Sequence, residues 1–257
     1  MKRILCIILC LLPLTARASE LTSTPPDIIH TFWYSHHEKM ERRVDIYVPD
    51  TVEGLQEKGE VDIPVLYLIH GINGYEGSWT ELGHAAELLE EAIAAGICRP
   101  MILVMPDCNK WPYKERPCHK KLWKSVLRYP RISHEHDLEI AVSDLIDMID
   151  STYHVSSCAV AGLSDGARIA ANIANYRPDR IHEVGLFCPV VYKAQLPKDS
   201  SLHYSIYIGK QDFLRPNGKR FHRRMNKRNF PHQYIELNGK HNWATWQECL
   251  KQFIRDL

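Results

Sequence analysis

Short apolar runs recur along this chain, spaced so that a helix fits between one and the next. Pro64 to Ile69 reads PVLYLI, and Met101 to Met105 reads MILVM. Cys158 to Gly162, Val184 to Phe187, Tyr204 to Ile208 and Gln233 to Leu237 follow. The first two runs do not alternate with polar residues, as in strands covered on both faces. Helical patterns lie between the runs. Ala85 to Ala95 ends at Gly96, and Leu138 to Ile149 has Leu138, Val142, Leu145, Ile146 and Ile149 at helical spacing. Ala167 to Tyr176, Arg220 to Arg228 and Trp243 to Ile254 complete the set. Two earlier strands are expected at Ile28 to Tyr34 and Arg43 to Val48. Val44, Ile46 and Val48 alternate with polar residues as on a half-buried antiparallel edge. This order predicts an α/β fold with a mostly parallel central sheet and helices on both faces. There is no internal repeat and no long linker, so residues 19–257 read as a single domain.

Residues 1–18 read differently. Lys2 and Arg3 precede an apolar stretch from Ile4 to Leu14, and Ala16-Arg17-Ala18 puts small residues where a signal peptidase reads. A cleaved signal peptide is expected, with a secreted or periplasmic product and no stable membrane insertion after cleavage. Cleavage takes the formal charge from +1 to −2 by removing Lys2, Arg3 and Arg17. Near-neutral charge argues against nucleic acid as a partner. With 45% hydrophobic and 25% charged residues the chain is not wholly disordered.

Gly162-Leu163-Ser164-Asp165-Gly166 fits Gly-x-Ser-x-Gly between an expected strand and an expected helix. The sharp turn pushes the serine hydroxyl out of the sheet, and glycine leaves room on either side. Ser164 is therefore the candidate nucleophile. Its acid and base should follow in that order. Asp212 comes just past the run Tyr204 to Ile208, and His241 lies on a Gly-containing loop between the last strand and the last helix. Glu236 is the alternative acid but lies inside a strand, and Asp107 precedes the serine. His70-Gly71-Ile72 follows the run ending at Ile69, which places backbone N–H donors for an oxyanion at Ile72 and Asp165. His70 itself reads as a buried residue holding that loop.

Taken together, these stretches resemble the α/β-hydrolase superfamily, in particular the esterase group that includes feruloyl esterases, enterochelin-type esterases and S-formylglutathione hydrolases. The resemblance rests on His70-Gly71-Ile72 with Gly77-Ser78-Trp79, on Val104-Met105-Pro106-Asp107, on Gly162 to Gly166, on Gly209 to Asp212, and on His241-Asn242-Trp243 with Trp246. It spans roughly residues 40 to 250. The group usually has a glycine-rich stretch after Met-Pro-Asp, where this chain is basic and aromatic. The resemblance implies an α/β-hydrolase fold and a serine esterase working through Ser164, His241 and Asp212. The expected substrate is a small-molecule or glycan ester, plausible examples being acyl or feruloyl esters on carbohydrate. A siderophore trilactone and a catalytically silent glycan-binding module are the alternatives. Trp79, Trp111 and Trp243 are candidate substrate-binding aromatics. No metal and no organic cofactor is required.

Other clusters admit plainer accounts. His134-Glu135-His136-Asp137 lacks zinc-protease spacing and reads as an acidic helix start. Basic residues crowd both the stretch 107–133 and the stretch after Asp212, suiting an acidic substrate or a solvated face. Cys108 and Cys118 enclose a short loop, and a disulfide there would stabilise it by about 2–3 kcal/mol. The opposing reading is a buried Cys108 thiol and a free Cys118.

Overall fold

The computed structural model describes residues 26–57, 63–109, 135–190, 196–197 and 201–257. The expected signal segment, Trp111 and Cys118 lie outside the described residues. Among those residues the strands are β1 (Ile28–Ser35), β2 (Met40–Tyr47), β3 (Ile63–Ile69), β4 (Ile102–Pro106), β5 (Val155–Leu163), β6 (Ile181–Phe187), β7 (His203–Gly209) and β8 (His232–Leu237). The helices are α1 (Asp50–Glu57), α2 (Ser78–Glu81), α3 (Ala85–Ala94), α4 (Glu135–Tyr153), α5 (Asp165–Tyr176), α6 (Arg215–Asn226) and α7 (Trp243–Asp256).

The strands form one sheet in the order β1-β2-β4-β3-β5-β6-β7-β8. β2 runs antiparallel to both β1 and β4, and every other neighbouring pair is parallel. The expected α/β-hydrolase architecture is therefore present. Successive side chains of a strand point to opposite faces, and β3 shows why its run carries no polar residue. Val65, Tyr67 and Ile69 pack with Val142, Leu145 and Ile146 of α4 and Ala170 and Ile173 of α5. Leu66 and Leu68 pack on the other face with Leu89 of α3 and Leu250 and Phe253 of α7. Both faces are covered, so both must be apolar.

Three local readings change. The strand Arg43 to Val48 is antiparallel as expected, but β1 lies outside it and forms the edge. Even Arg42 and Asp45 are buried on β2. α1 went unread because only Val52 and Leu55 mark its inner side, and Val52 alone is fully buried. α6 begins at Arg215 with Pro216 in its first turn, earlier than its apolar residues Phe221 and Met225 suggest.

Cys108 is a buried free thiol, which contradicts the suggested Cys108–Cys118 bridge, and Cys118 itself lies outside the described residues. Burial pushes that thiol's pKa far up, which leaves it unreactive. The cluster at 134–137 falls where α4 begins, at Glu135. No helix among the described residues is long and apolar enough to cross a membrane.

Candidate active site

Parallel strands deliver their C-terminal ends to one edge of the sheet, and loops leaving that edge meet. Ser164 follows β5, Asp212 comes after β7, His241 after β8 and His70 directly after β3.

Ser164 sits at φ 55°, ψ −115°, a backbone state that a residue with a side chain adopts at a cost. The surroundings hold it there. Its N–H donates to the Phe187 carbonyl at 2.9 Å, and its carbonyl accepts from Val190 N–H at 2.9 Å. The flanking glycines are sterically required. A Cβ at Gly162 would lie 2.3 Å from the Gly166 carbonyl oxygen, and one at Gly166 would lie 2.3 Å from that of His70. α5 starts at Asp165 and is lined with buried Ala167, Ala170, Ala171 and Ala174, small enough to bring its axis close to the sheet.

His241 joins the other two members. Its Nε2 lies 3.0 Å from Ser164 Oγ, and its Nδ1 lies 2.8 Å from Asp212 Oδ2. Asp212 is 29 residues away in sequence but shares a paired loop with the histidine. Lys210 N–H donates to the Leu237 carbonyl at 2.8 Å, Gln211 N–H donates to the Gly239 carbonyl at 2.9 Å, and Gly239 N–H donates to Gln211 Oε1 at 2.8 Å. Asn242 caps α7 by accepting from Thr245 N–H at 3.2 Å, which fixes where the His241 loop ends.

The electrostatics suit a carboxylate–imidazole pair. Burial works against an ionised Asp212, but the bond from His241 and one from Leu214 N–H at 2.7 Å outweigh it and hold the pKa below the ordinary carboxylate value. Burial also works against a charged His241, yet Asp212 and Cys188 beside it raise its pKa to about 9.

The alternative acids are bonded elsewhere. Glu236 is bonded by Arg215 at 2.7 and 3.0 Å, which pushes its pKa down to about 2. Asp107 accepts from Asn109 N–H at 3.1 Å and so shapes the turn after β4. Buried Arg42, which no motif marked, donates to the Asn109 carbonyl at 2.8 Å and ties that turn to β2. His70 is buried as expected. Its Nε2 accepts from Cys108 N–H at 3.0 Å, and its Nδ1 faces the Gly71 carbonyl at 2.8 Å. The loop bearing Ile72 lies against the elbow, since a Cβ on Gly71 would meet Leu163 Cδ1 at 2.5 Å and Ser164 Cβ at 3.4 Å. Asp165 opens α5, where backbone N–H groups have no intrahelical partner.

The aromatic candidates fare unequally. Trp79 is 0% exposed and packs edge-on against Phe187 and Trp243, so it is core and offers a substrate no surface. Trp243 is half-buried at the start of α7, between Trp79 and Trp246. Three further side chains lie beside His241, and of them only Trp246 belonged to a stretch that the sequence marked. Trp246 stands perpendicular to the His241 ring at 5.0 Å, and Phe213 tilts over it at 4.6 Å. Cys188 follows β6 at φ 46°, fully buried, its N–H bonded to the Tyr207 carbonyl at 2.8 Å. Its Sγ and donor atoms of Asp212 and His241 lie within 4.8 Å of one another, the one such metal-capable group among the described residues.

The profile of the family described as "Putative esterase" matches residues 35–202, from the end of β1 to the residue before β7. The chain belongs to this esterase family. The esterase is 27% identical over 237 residues to an endo-1,4-beta-xylanase/feruloyl esterase of Xylanibacter ruminicola, covering 88% of this chain but only 30% of that relative. A ferulic acid esterase of Anaeromyces mucronatus superposes with a TM-score of 0.73 at 20% identity, over 95% of each chain. An S-formylglutathione hydrolase of Staphylococcus aureus superposes with a TM-score of 0.65 at 16% identity, over 91% of this chain and 98% of the other. These two structures share the esterase's fold. The family is one of serine carboxylic ester hydrolases.

Proposed function

We propose that the protein is an exported serine esterase that cleaves acyl or aryl esters carried on carbohydrate. The observation that carries this reading is the unbroken hydrogen-bond chain from Ser164 Oγ through His241 to Asp212, at 3.0 and 2.8 Å. Ser164 attacks the ester carbonyl as Nε2 of His241 takes its proton. Asp212 holds the imidazole in the Nδ1–H form and stabilises its positive charge. The amides of Ile72 and Asp165 receive the developing oxyanion. Nε2 then returns the proton to the departing alcohol, and a water repeats the sequence on the acyl-enzyme. Feruloyl esters on plant carbohydrate are favoured as substrates because a xylanase/feruloyl esterase and ferulic acid esterases are among the similar proteins. Export is proposed on the pattern of Lys2, Arg3 and the apolar Ile4 to Leu14, and predicts a mature chain that starts at Ser19.

A fluorophosphonate probe followed by an ester panel tests the reading. Labelling should vanish in Ser164→Ala, and feruloyl-sugar esters should be cleaved faster than acetyl esters. Labelling that survives Ser164→Ala would sink the nucleophile. A preference for trilactones would move the substrate to siderophores, and absence of both labelling and turnover would favour a silent carbohydrate-binding role.

A further inference from the structure

Phe213 is the most exposed large apolar side chain among the described residues, at 72%. A lone exposed phenylalanine is ordinary on a protein surface. The position of this one is not ordinary. It directly follows Asp212, and its ring centroid lies 4.6 Å from the His241 ring at a tilt of 58°. Trp246, almost buried, contacts the same imidazole at 5.0 Å. The base therefore has a buried indole on one side and a solvent-facing phenyl ring on another.

Acyl-transfer chemistry fixes what comes near that phenyl ring. An ester within reach of Ser164 Oγ is also beside His241 Nε2, which lies 3.0 Å away. The tetrahedral intermediate directs its oxyanion to the backbone donors and its leaving oxygen to Nε2, because that nitrogen must protonate the alcohol. The alcohol leaves past the imidazole, and the exposed phenyl ring, with its centroid 4.6 Å from that of the imidazole, is the apolar surface beside it.

We infer that Phe213 is the platform for the leaving alcohol, and that the alcohol it selects is a sugar whose C–H face stacks on the exposed ring. The inference rests on the catalytic reading given under Proposed function and adds to it the residue that separates sugar esters from simple alkyl esters. A sugar presents an apolar C–H face together with hydroxyls that stay in water, which suits a phenyl ring with one side solvated. Methanol is too small to cover the ring.

The test holds the acyl group constant and changes the alcohol. The kcat/KM values of methyl ferulate and of a xylose ester of ferulic acid are measured for the wild type, Phe213→Ala and Phe213→Trp. The ratio of sugar ester to methyl ester should fall about tenfold in Phe213→Ala, mainly through KM, and hold in Phe213→Trp. Because the ring is exposed, both variants should melt with the wild type. An unchanged ratio overturns the platform, and so does an equal loss on both esters, which would show that the ring only positions His241. A wild-type enzyme that labels at Ser164 but cleaves neither ester overturns the platform and the substrate class together, and leaves the nucleophile standing.

Discussion

The serine half of the site and its acid–base half are built in opposite ways. Ser164 is placed by five contiguous residues, in a strained turn whose flanking glycines meet backbone atoms at 2.3 Å. Asp212 and His241 sit on separate loops that are unstrained at both residues and are joined by backbone and Gln211 hydrogen bonds. Sterics therefore place the proposed nucleophile, and pairing of two strand-end loops places the proposed base. The first should fail abruptly when a single methyl is added. The second should fail by degrees.

The largest effects come from the reacting groups themselves. Ser164→Ala and His241→Ala should each lower kcat on an aryl ester by about three orders of magnitude or more, and the double variant should lose little beyond that, because triad members act as a unit. Asp212→Asn should cost less than Ser164→Ala. If Asp212→Asn kept full turnover while Glu236→Gln or Asp107→Asn abolished it, the acid would have to be reassigned.

Next comes the elbow. Gly166→Ala forces a Cβ into the His70 and Ile69 carbonyls, at 2.3 and 2.6 Å, where only backbone can give way. We expect a loss of about 3 kcal/mol of stability together with activity, read by denaturant unfolding and ester turnover. Wild-type stability in that variant would mean the elbow is not the rigid half.

A smaller effect per pH unit sharpens the acid–base half. Only neutral imidazole takes the serine proton, and His241 carries a pKa raised to about 9. The kcat/KM should rise about tenfold per pH unit up to that point and then level. Asp212→Asn should move the midpoint down, since the carboxylate is what holds the proton. The stability effect runs the other way. A histidine whose folded pKa exceeds its unfolded value near 6.5 stabilises the fold fully below about pH 6.5, and that contribution fades as pH rises through 9. A profile with a midpoint near 6.5 would show that Asp212 and Cys188 do not shift the base.

Legibility in the sequence follows the same division. The elbow is local, so Gly162 to Gly166 disclosed both the candidate nucleophile and its backbone geometry. Asp212 and His241 could be placed only through the strands before them, yet those strands were apolar enough to locate the loops. The interior of the sheet was legible for the same reason, since β3 and β4 are buried on both faces. α1 was not legible, because a helix with one fully buried apolar residue leaves little periodic signal. Trp79 misled because an indole near a motif looks the same in sequence whether it faces core or cleft. Cys188 read only as a buried thiol in an apolar run, which it is, and neither it nor Phe213 gave any sign of its place beside His241. Each matters because the fold brings it to His241 from a neighbouring strand end or from the residue beside its acid, and no spacing rule carries that information.

The gentlest test addresses the cross-link between the two loops. Gln211 accepts from Gly239 N–H at 2.8 Å through its side chain, while its own N–H donates to the Gly239 carbonyl at 2.9 Å. Gln211→Ala removes the first bond and leaves the second. The Gly239 amide is exposed, so water can replace the lost acceptor, and the stability cost should stay near 1 kcal/mol or below. Activity should fall by about threefold to tenfold, because a loosened Gly239 lets His241 drift from its 3.0 Å approach to Ser164. Gln211→Glu keeps an acceptor at the same reach and should recover most of the rate. A Gln211→Ala enzyme as fast as the wild type would show that the backbone pair alone sets the base, and the acid–base half would then be nearly as rigid as the elbow.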